Sequence, residues 1–114
     1  MTYMLLIYVP DIVRDRTPDE WQAMTEAFLP YNEYVKSTGY YIDGRPLDEL
    51  STATTVRVRD GKRAITDGPF AETKEFLGGY YMVDCPTLDD AIEIAARCPA
   101  AQFGSMEVRP VLSG

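Results

Sequence analysis

Thr2-Tyr3-Met4-Leu5-Leu6-Ile7-Tyr8-Val9 opens the chain and decides its fold. Tyr3, Leu5, Ile7 and Val9 fall on one face of an extended segment, and Met4, Leu6 and Tyr8 on the other. Apolar residues on both alternating sets require cover on both sides of the sheet. The run is too short to cross a bilayer and has no basic leader, so it reads as a strand and the expected setting is cytoplasmic.

Downstream, Thr17-Pro18-Asp19-Glu20 matches a helix start: a Thr cap, Pro at the first helical position and Glu three residues on. Trp21, Met24, Phe28, Tyr31 and Val35 recur at three- and four-residue spacings and give one buried stripe that ends near Ser37, with Gly39 just beyond. Pro30 inside this pattern predicts a kink or short break, because its ring crowds the Glu26 carbonyl and offers it no N–H. A second strand starts at 40–43 and runs irregularly into a loop. Residues 53–59 and 62–66 flank Asp60-Gly61, the two-residue signal of a type I′ hairpin. Most of 67–75 reads as loop, with Gly78-Gly79 preceding a strand at 80–85. Thr87 and Asp90 form a weaker capping arrangement for a helix over 88–98 with Leu88, Ala91, Ile92 and Ala95 on its apolar face, and residues 105–111 close as a strand.

The order strand, helix, strand, hairpin, strand, helix, strand defines an α+β fold, a ferredoxin-like βαββαβ sandwich with an inserted β-hairpin, in a single domain over residues 1–114. Both helices of such a sandwich sit on one face, and the cheapest cover for the other apolar face is a second copy of the chain.

Composition narrows the function. Eleven Lys and Arg against eighteen Asp and Glu leave a net charge of −7, which disfavours nucleic acid and anionic membranes as partners. Without histidine there is no imidazole for a serine or cysteine triad, and two cysteines, Cys85 and Cys98, with no C-x-x-C spacing predict no metal centre. No cofactor is expected. The two cysteines flank a helix of roughly 15 Å at ~1.5 Å rise per residue, too far apart for a disulfide, so both read as reduced apolar residues.

From Asp67 to Glu75 the chain reads DGPFAETKE, followed by Phe76-Leu77-Gly78-Gly79-Tyr80-Tyr81. With YMLLIY at 3–8, ATTVRVRDGK at 53–62, CPAA at 98–101 and EVRP at 107–110, it resembles the YCII-related proteins, and within them the DGPF (DGPFAETKE) subgroup. The resemblance implies a ferredoxin-like protomer that pairs into a dimeric α/β barrel, with small-molecule chemistry carried between helices and sheets. It also implies a regulatory alternative, since members of the subgroup resemble companions of extracytoplasmic-function sigma factors. Other YCII-related proteins resemble enzymes with a histidine–aspartate acid–base pair, and this chain has no histidine to complete one.

The expected function is therefore binding of a small organic molecule in the barrel interior of a homodimer, with lyase- or isomerase-type chemistry or binding alone. The alternative is a non-enzymatic accessory protein in sigma-factor regulation. No catalytic residue is singled out. Arg109 leads the ligand-binding candidates, because a guanidinium fork suits a small anion and shares its strand face with Glu107. Asp67 either caps its turn or faces a pocket. Tyr8 and Tyr81, with Tyr3 and Tyr80, are expected on faces that meet inside the barrel, as hydroxyl donors or as interface rings.

Overall fold

The computed structural model describes residues 1–10, 16–69 and 74–113. Residues 11–15, and Phe70 to Thr73 within the DGPFAETKE stretch, lie outside the described residues.

The elements run β1 (Thr2–Pro10), α1 (Pro18–Ser37), β2 (Tyr41–Pro46), β3 (Thr54–Arg59), β4 (Lys62–Asp67), β5 (Glu75–Asp84), α2 (Leu88–Ala96) and β6 (Ser105–Pro110). Four strands form one antiparallel sheet in the order β2-β5-β1-β6, while β3 and β4 pair apart as a two-stranded sheet. This α+β arrangement, with the central strand pair β5–β1 antiparallel and a helix after β1 and after β5, is compatible with a ferredoxin-like sandwich.

Tyr3, Leu5 and Ile7 of β1 and Tyr81 and Val83 of β5 turn toward the helices and close the core with Tyr31, Val35, Ala91, Ile94, Ala95 and Cys98. Met106 and Val108 of β6 pack against its edge. In register with them, Met4 and Leu6 pair with Met82 and Tyr80 on one side and with Arg109 and Glu107 on the other, so these residues share the opposite face of the sheet. The four tyrosines thus divide. Tyr3 and Tyr81 belong to the helix side, Tyr8 and Tyr80 to the open side.

Several expectations are corrected. Helix α1 is continuous through Pro30, which removes the expected break; Pro30 is exposed, so the carbonyl it deprives of an N–H faces water. Strand β5 begins at Glu75, five residues before the expected start. Gly78 and Gly79 lie inside it because neighbouring strands come close: a Cβ on Gly79 would sit 2.9 Å from the Arg45 carbonyl oxygen. Helix α2 ends at Ala96 and buries Ala91, Ile94 and Ala95, leaving Leu88 and Ile92 exposed. The alanines let α2 approach the sheet more closely than a stripe with Leu88 would.

The two caps exchange rank. Thr17 Oγ1 accepts from the Glu20 N–H at 3.2 Å, but the Glu20 carboxylate takes the Thr17 hydroxyl rather than its backbone N–H. Thr87 and Asp90 make the full reciprocal box, each backbone N–H reaching the other's side chain at 3.2 Å. The hairpin turn has Asp60 at φ 54° and Gly61 at φ 74°, the positive pair a type I′ turn needs.

Candidate functional site

The C-terminal half of α1 is packed, with Tyr31 and Val35 buried, but the helix lifts from the sheet toward its start. Met24 and Phe28 are only half-buried and Trp21 is 37% exposed. Beneath this half lies a cleft of about 880 Å³ between α1, the end of β1, and the β2 and β5 strands. Such a volume is in the range of small-molecule sites.

Two adjacent stripes of α1 line it. Trp21, Met24 and Phe28 belong to the apolar stripe; Thr25, Leu29, Asn32 and Lys36, again three and four apart, form a second one beside it. Across from them stand Ile7 and Val9 of β1, Tyr41 and Pro46 of β2, and Phe76 and Tyr81 of β5, with Leu47 to Leu50 along one edge and Phe103 along another. The walls are apolar and aromatic, the composition expected of a cavity that takes a largely apolar molecule.

One polar pair marks the floor. The Tyr81 hydroxyl donates to Asn32 Oδ1. The Tyr81 ring is fixed edge-on to Tyr31, with centroids 5.3 Å apart and planes at 90°, and lies 6.5 Å from the Tyr41 ring. Burial, then the neighbouring Cys98 and Tyr41, push the Tyr81 phenol up to about 12, so it is a neutral donor at physiological pH. Because Asn32 spends its carbonyl oxygen on Tyr81, its amide N–H₂ is the group left to address a ligand. Lys36 stands at the rim with its ammonium 5.5 Å from the Tyr41 ring centroid. The donors left for a ligand are the Asn32 amide and the Lys36 ammonium, and they fit an acceptor such as a carbonyl or carboxylate.

Tyr81 alone among the five sequence-derived candidates lines this cleft. Arg109 and Glu107 lie on the open face of the sheet, opposite the helices, where Nε of the arginine meets the carboxylate at 3.3 Å and both side chains are exposed. Tyr8 shares that face, half-buried. Asp67 ends β4 opposite Thr54 and is exposed at the base of the hairpin. Asn32 was not singled out; the signal that finds it is the second helical stripe of Thr25, Leu29, Asn32 and Lys36 running beside the apolar one. Both cysteines are free and buried, and burial raises both thiols, so neither is poised as a thiolate nucleophile.

An antiparallel sheet with two helices on one face and an aromatic cleft under the first helix defines a small α+β domain built around a concave apolar site. The chain belongs to the YCII-related domain family, which matches it over residues 1–113. It is similar to the uncharacterized protein R00369 of Rhizobium meliloti (strain 1021), with 46% identity over 63 residues, covering 54% of this chain and 51% of that protein. The chain thus spans about half the length of the curated relative it matches. Among the described residues no helix is long and apolar enough to cross a membrane.

Proposed function

We propose that this chain is a homodimeric small-molecule-binding protein of the DGPF branch of its family, acting in the cytoplasm. Its ligand is a small, largely apolar organic molecule with a carbonyl or carboxylate head, held under the first half of α1. The observation that carries the reading is the cleft of about 880 Å³ with aromatic walls and a single Tyr81–Asn32 polar pair at its floor. The Asn32 amide, held in place by the neutral Tyr81 phenol, orients the head, and Lys36 at the rim favours a negative one. Lyase- or isomerase-type chemistry on such a ligand requires a proton acceptor opposite these donors, and Asp48 and Glu49 are the carboxylates along the cleft's edge.

The homodimer part of the reading rests on the open sheet face. Met4, Leu6, Tyr8, Tyr80 and Met82 are half-buried there, and among the described residues no helix lies over them. Its charges are largely paired within the face: Glu107 with Arg109, Asp43 with Arg45 and the Tyr80 hydroxyl, and Asp84 with the N-terminal ammonium, while Glu75 accepts from the Ser105 hydroxyl. A face so paired can meet its own copy with less of the repulsion that a chain of net charge −7 would otherwise impose. In that pairing Arg109, Glu107 and Tyr8 line the space between the two sheets. Two free, buried cysteines fit the reducing cytoplasm. The sigma-factor alternative rests on resemblance, with no structural observation behind it.

Trp21 is the single tryptophan of the chain and stands on the cleft's lip, so its fluorescence reports occupancy directly. Titration with a panel of aromatic and alicyclic ketones and carboxylates should find members that change Trp21 emission and raise the melting temperature. A ligand at 100 times its Kd adds about 2.7 kcal/mol of stability. A binder whose affinity is unchanged in Asn32→Leu and Phe28→Asp variants places the site elsewhere and refutes the reading.

A further inference from the structure

The hairpin formed by β3 and β4 has its two faces reversed relative to the rest of the molecule. Val56 pairs directly with Ile65, and Val58 with Arg63, so Val56, Val58 and Ile65 lie on one face, with Arg63 beside Val58. These three are 59%, 59% and 65% exposed. Arg57, Arg59 and Lys62 occupy the other face, where Thr55 and Arg57 are half-buried. The apolar side of an amphipathic hairpin is thus turned to water. A two-stranded hairpin is marginal by itself, and an apolar face held out in this way marks an interaction surface.

Charge and area identify its occupant. Arg57, Arg59, Lys62 and Arg63 against Asp60 and Asp67 leave the hairpin two positive on a chain that is seven negative, so the remainder of each copy carries nine negative charges. A basic, apolar arm on an acidic body is complementary to another body of the same kind. The open face of four strands, at ~4.8 Å spacing and about eight residues of ~3.3 Å each, covers roughly 500 Å². That is short of the roughly 800 Å² per partner of a standard interface. One face of a hairpin with six-residue strands covers roughly 200 Å², and since each copy both gives an arm and receives one, the arms add roughly 400 Å² per partner and carry the interface past that size.

We propose that the Thr54–Asp67 hairpin is an arm that docks on a second copy of this chain, Val56, Val58 and Ile65 against its apolar surface, Arg63 of the same face among its carboxylates, and Lys62 beside the turn reaching past the strand edge to a neighbouring one. The inference rests on the homodimer reading and adds the arm to it. Phosphate-bearing partners are disfavoured because the face that needs covering is the valine–isoleucine one, which a nucleic acid backbone does not cover.

The test combines sedimentation equilibrium with carbodiimide cross-linking of an equal mixture of ¹⁴N- and ¹⁵N-labelled protein. Val56→Thr, Val58→Thr and Ile65→Thr together keep β-branched strand formers while removing the apolar surface. The wild type is expected to dimerise and to give Lys62–carboxylate cross-links between differently labelled chains. The triple variant is expected to raise the dimer dissociation constant at least tenfold with the melting of its body unchanged. Lys62→Glu with Arg63→Glu should weaken the dimer most at low salt. A dimer whose constant the threonine variant leaves unchanged, or Lys62 cross-links confined to one label, overturns the arm alone. A wild type that stays monomeric overturns the homodimer reading with it. Binding of duplex DNA or anionic vesicles that the threonine variant keeps and the charge-reversed variant loses assigns the arm to phosphate and overturns the proposal.

Discussion

Between Tyr31 and Ser37, α1 is packed on the sheet and on α2, whereas between Pro18 and Leu29 every residue is exposed or half-exposed over the cleft. The same apolar stripe runs through both regions: Phe28, Tyr31 and Val35 continue Trp21 and Met24 at helical spacing. What differs is the opposite wall. Under Tyr31 and Val35 lie Tyr81, Val83 and the small residues Ala91, Ala95 and Ala100, which allow close contact. Under Trp21 and Met24 lies the cleft, bounded among the described residues by Phe76, Leu47 and Phe103. A stripe of large apolar residues therefore announces burial without saying whether protein or ligand supplies the other surface.

The contrast breaks most sharply at Val35. Val35→Ala removes a fully buried side chain and should cost about 2–3 kcal/mol, as lost transfer energy plus a cavity. Chemical denaturation reads it, and a cost near zero would mean that the packed half is not packed.

Tyr31→Phe comes next. The Tyr31 hydroxyl donates to the Ile94 carbonyl at 2.8 Å across a buried contact, at the end of α2 where intrahelical donors run out. Its loss should cost about 1–2 kcal/mol. It should also change the alkaline limb. Burial raises the Tyr31 phenol above its ordinary value of 10.0 and raises Tyr81 to about 12. The unfolded chain releases these protons first, so it binds fewer, and stability falls as pH rises. The contribution is whole below pH 10 and is lost from there upward through the folded-state values; Tyr31→Phe should flatten that decline in denaturation measured from pH 9 to 11.5.

These effects also mark what was legible in the sequence. Element order, both helix starts, the Asp60-Gly61 hairpin and the two-sided first strand could be read because each is fixed by local chemistry: a cap, a proline, a positive φ, an alternation. The losses are all cases in which a neighbour decides. Gly78-Gly79 reads as an interruption until the Arg45 carbonyl is seen to require it. Leu88 and Ile92 compete with Ala91, Ile94 and Ala95 for the buried side of α2, and periodicity cannot choose between two apolar stripes on so short a helix. Of the site, Tyr81 was legible as a strand tyrosine, but its partner Asn32 was hidden in a polar stripe, which reads as solvated until a cleft is found beside it. Arg109 and Glu107 were correctly paired on one strand face, yet nothing local says which side of the sheet that face occupies.

The caps give a smaller effect that sharpens the comparison between the two helices. Thr87→Ala removes both halves of a complete capping box and should cost about 1 kcal/mol, whereas Thr17→Ala removes a single bond at the loosely packed end of α1 and should cost less. Paired thermal denaturation of the two variants checks the order, and a larger cost at Thr17 would mean that the lifted half of α1 is held more firmly than its exposure indicates.

The smallest expected change in stability is the one that matters most for function. Trp21→Ala removes the largest side chain of α1, and in a core that truncation costs about 3–5 kcal/mol. Trp21 is 37% exposed and borders the cleft rather than the packed core, so its removal strips few buried contacts, and the cost should stay within about 0.5 kcal/mol, as at an ordinary surface position. The same variant should lose affinity for any molecule held against the aromatic wall, measured by calorimetry because the fluorescent reporter is gone. Val35→Ala should do the opposite, lowering stability while leaving the affinity of the folded fraction within a few-fold. A Trp21→Ala variant that is destabilised by several kcal/mol would show that the lifted half of α1 closes onto the sheet in solution, and the division of the helix into a packed region and a binding region would fall with it.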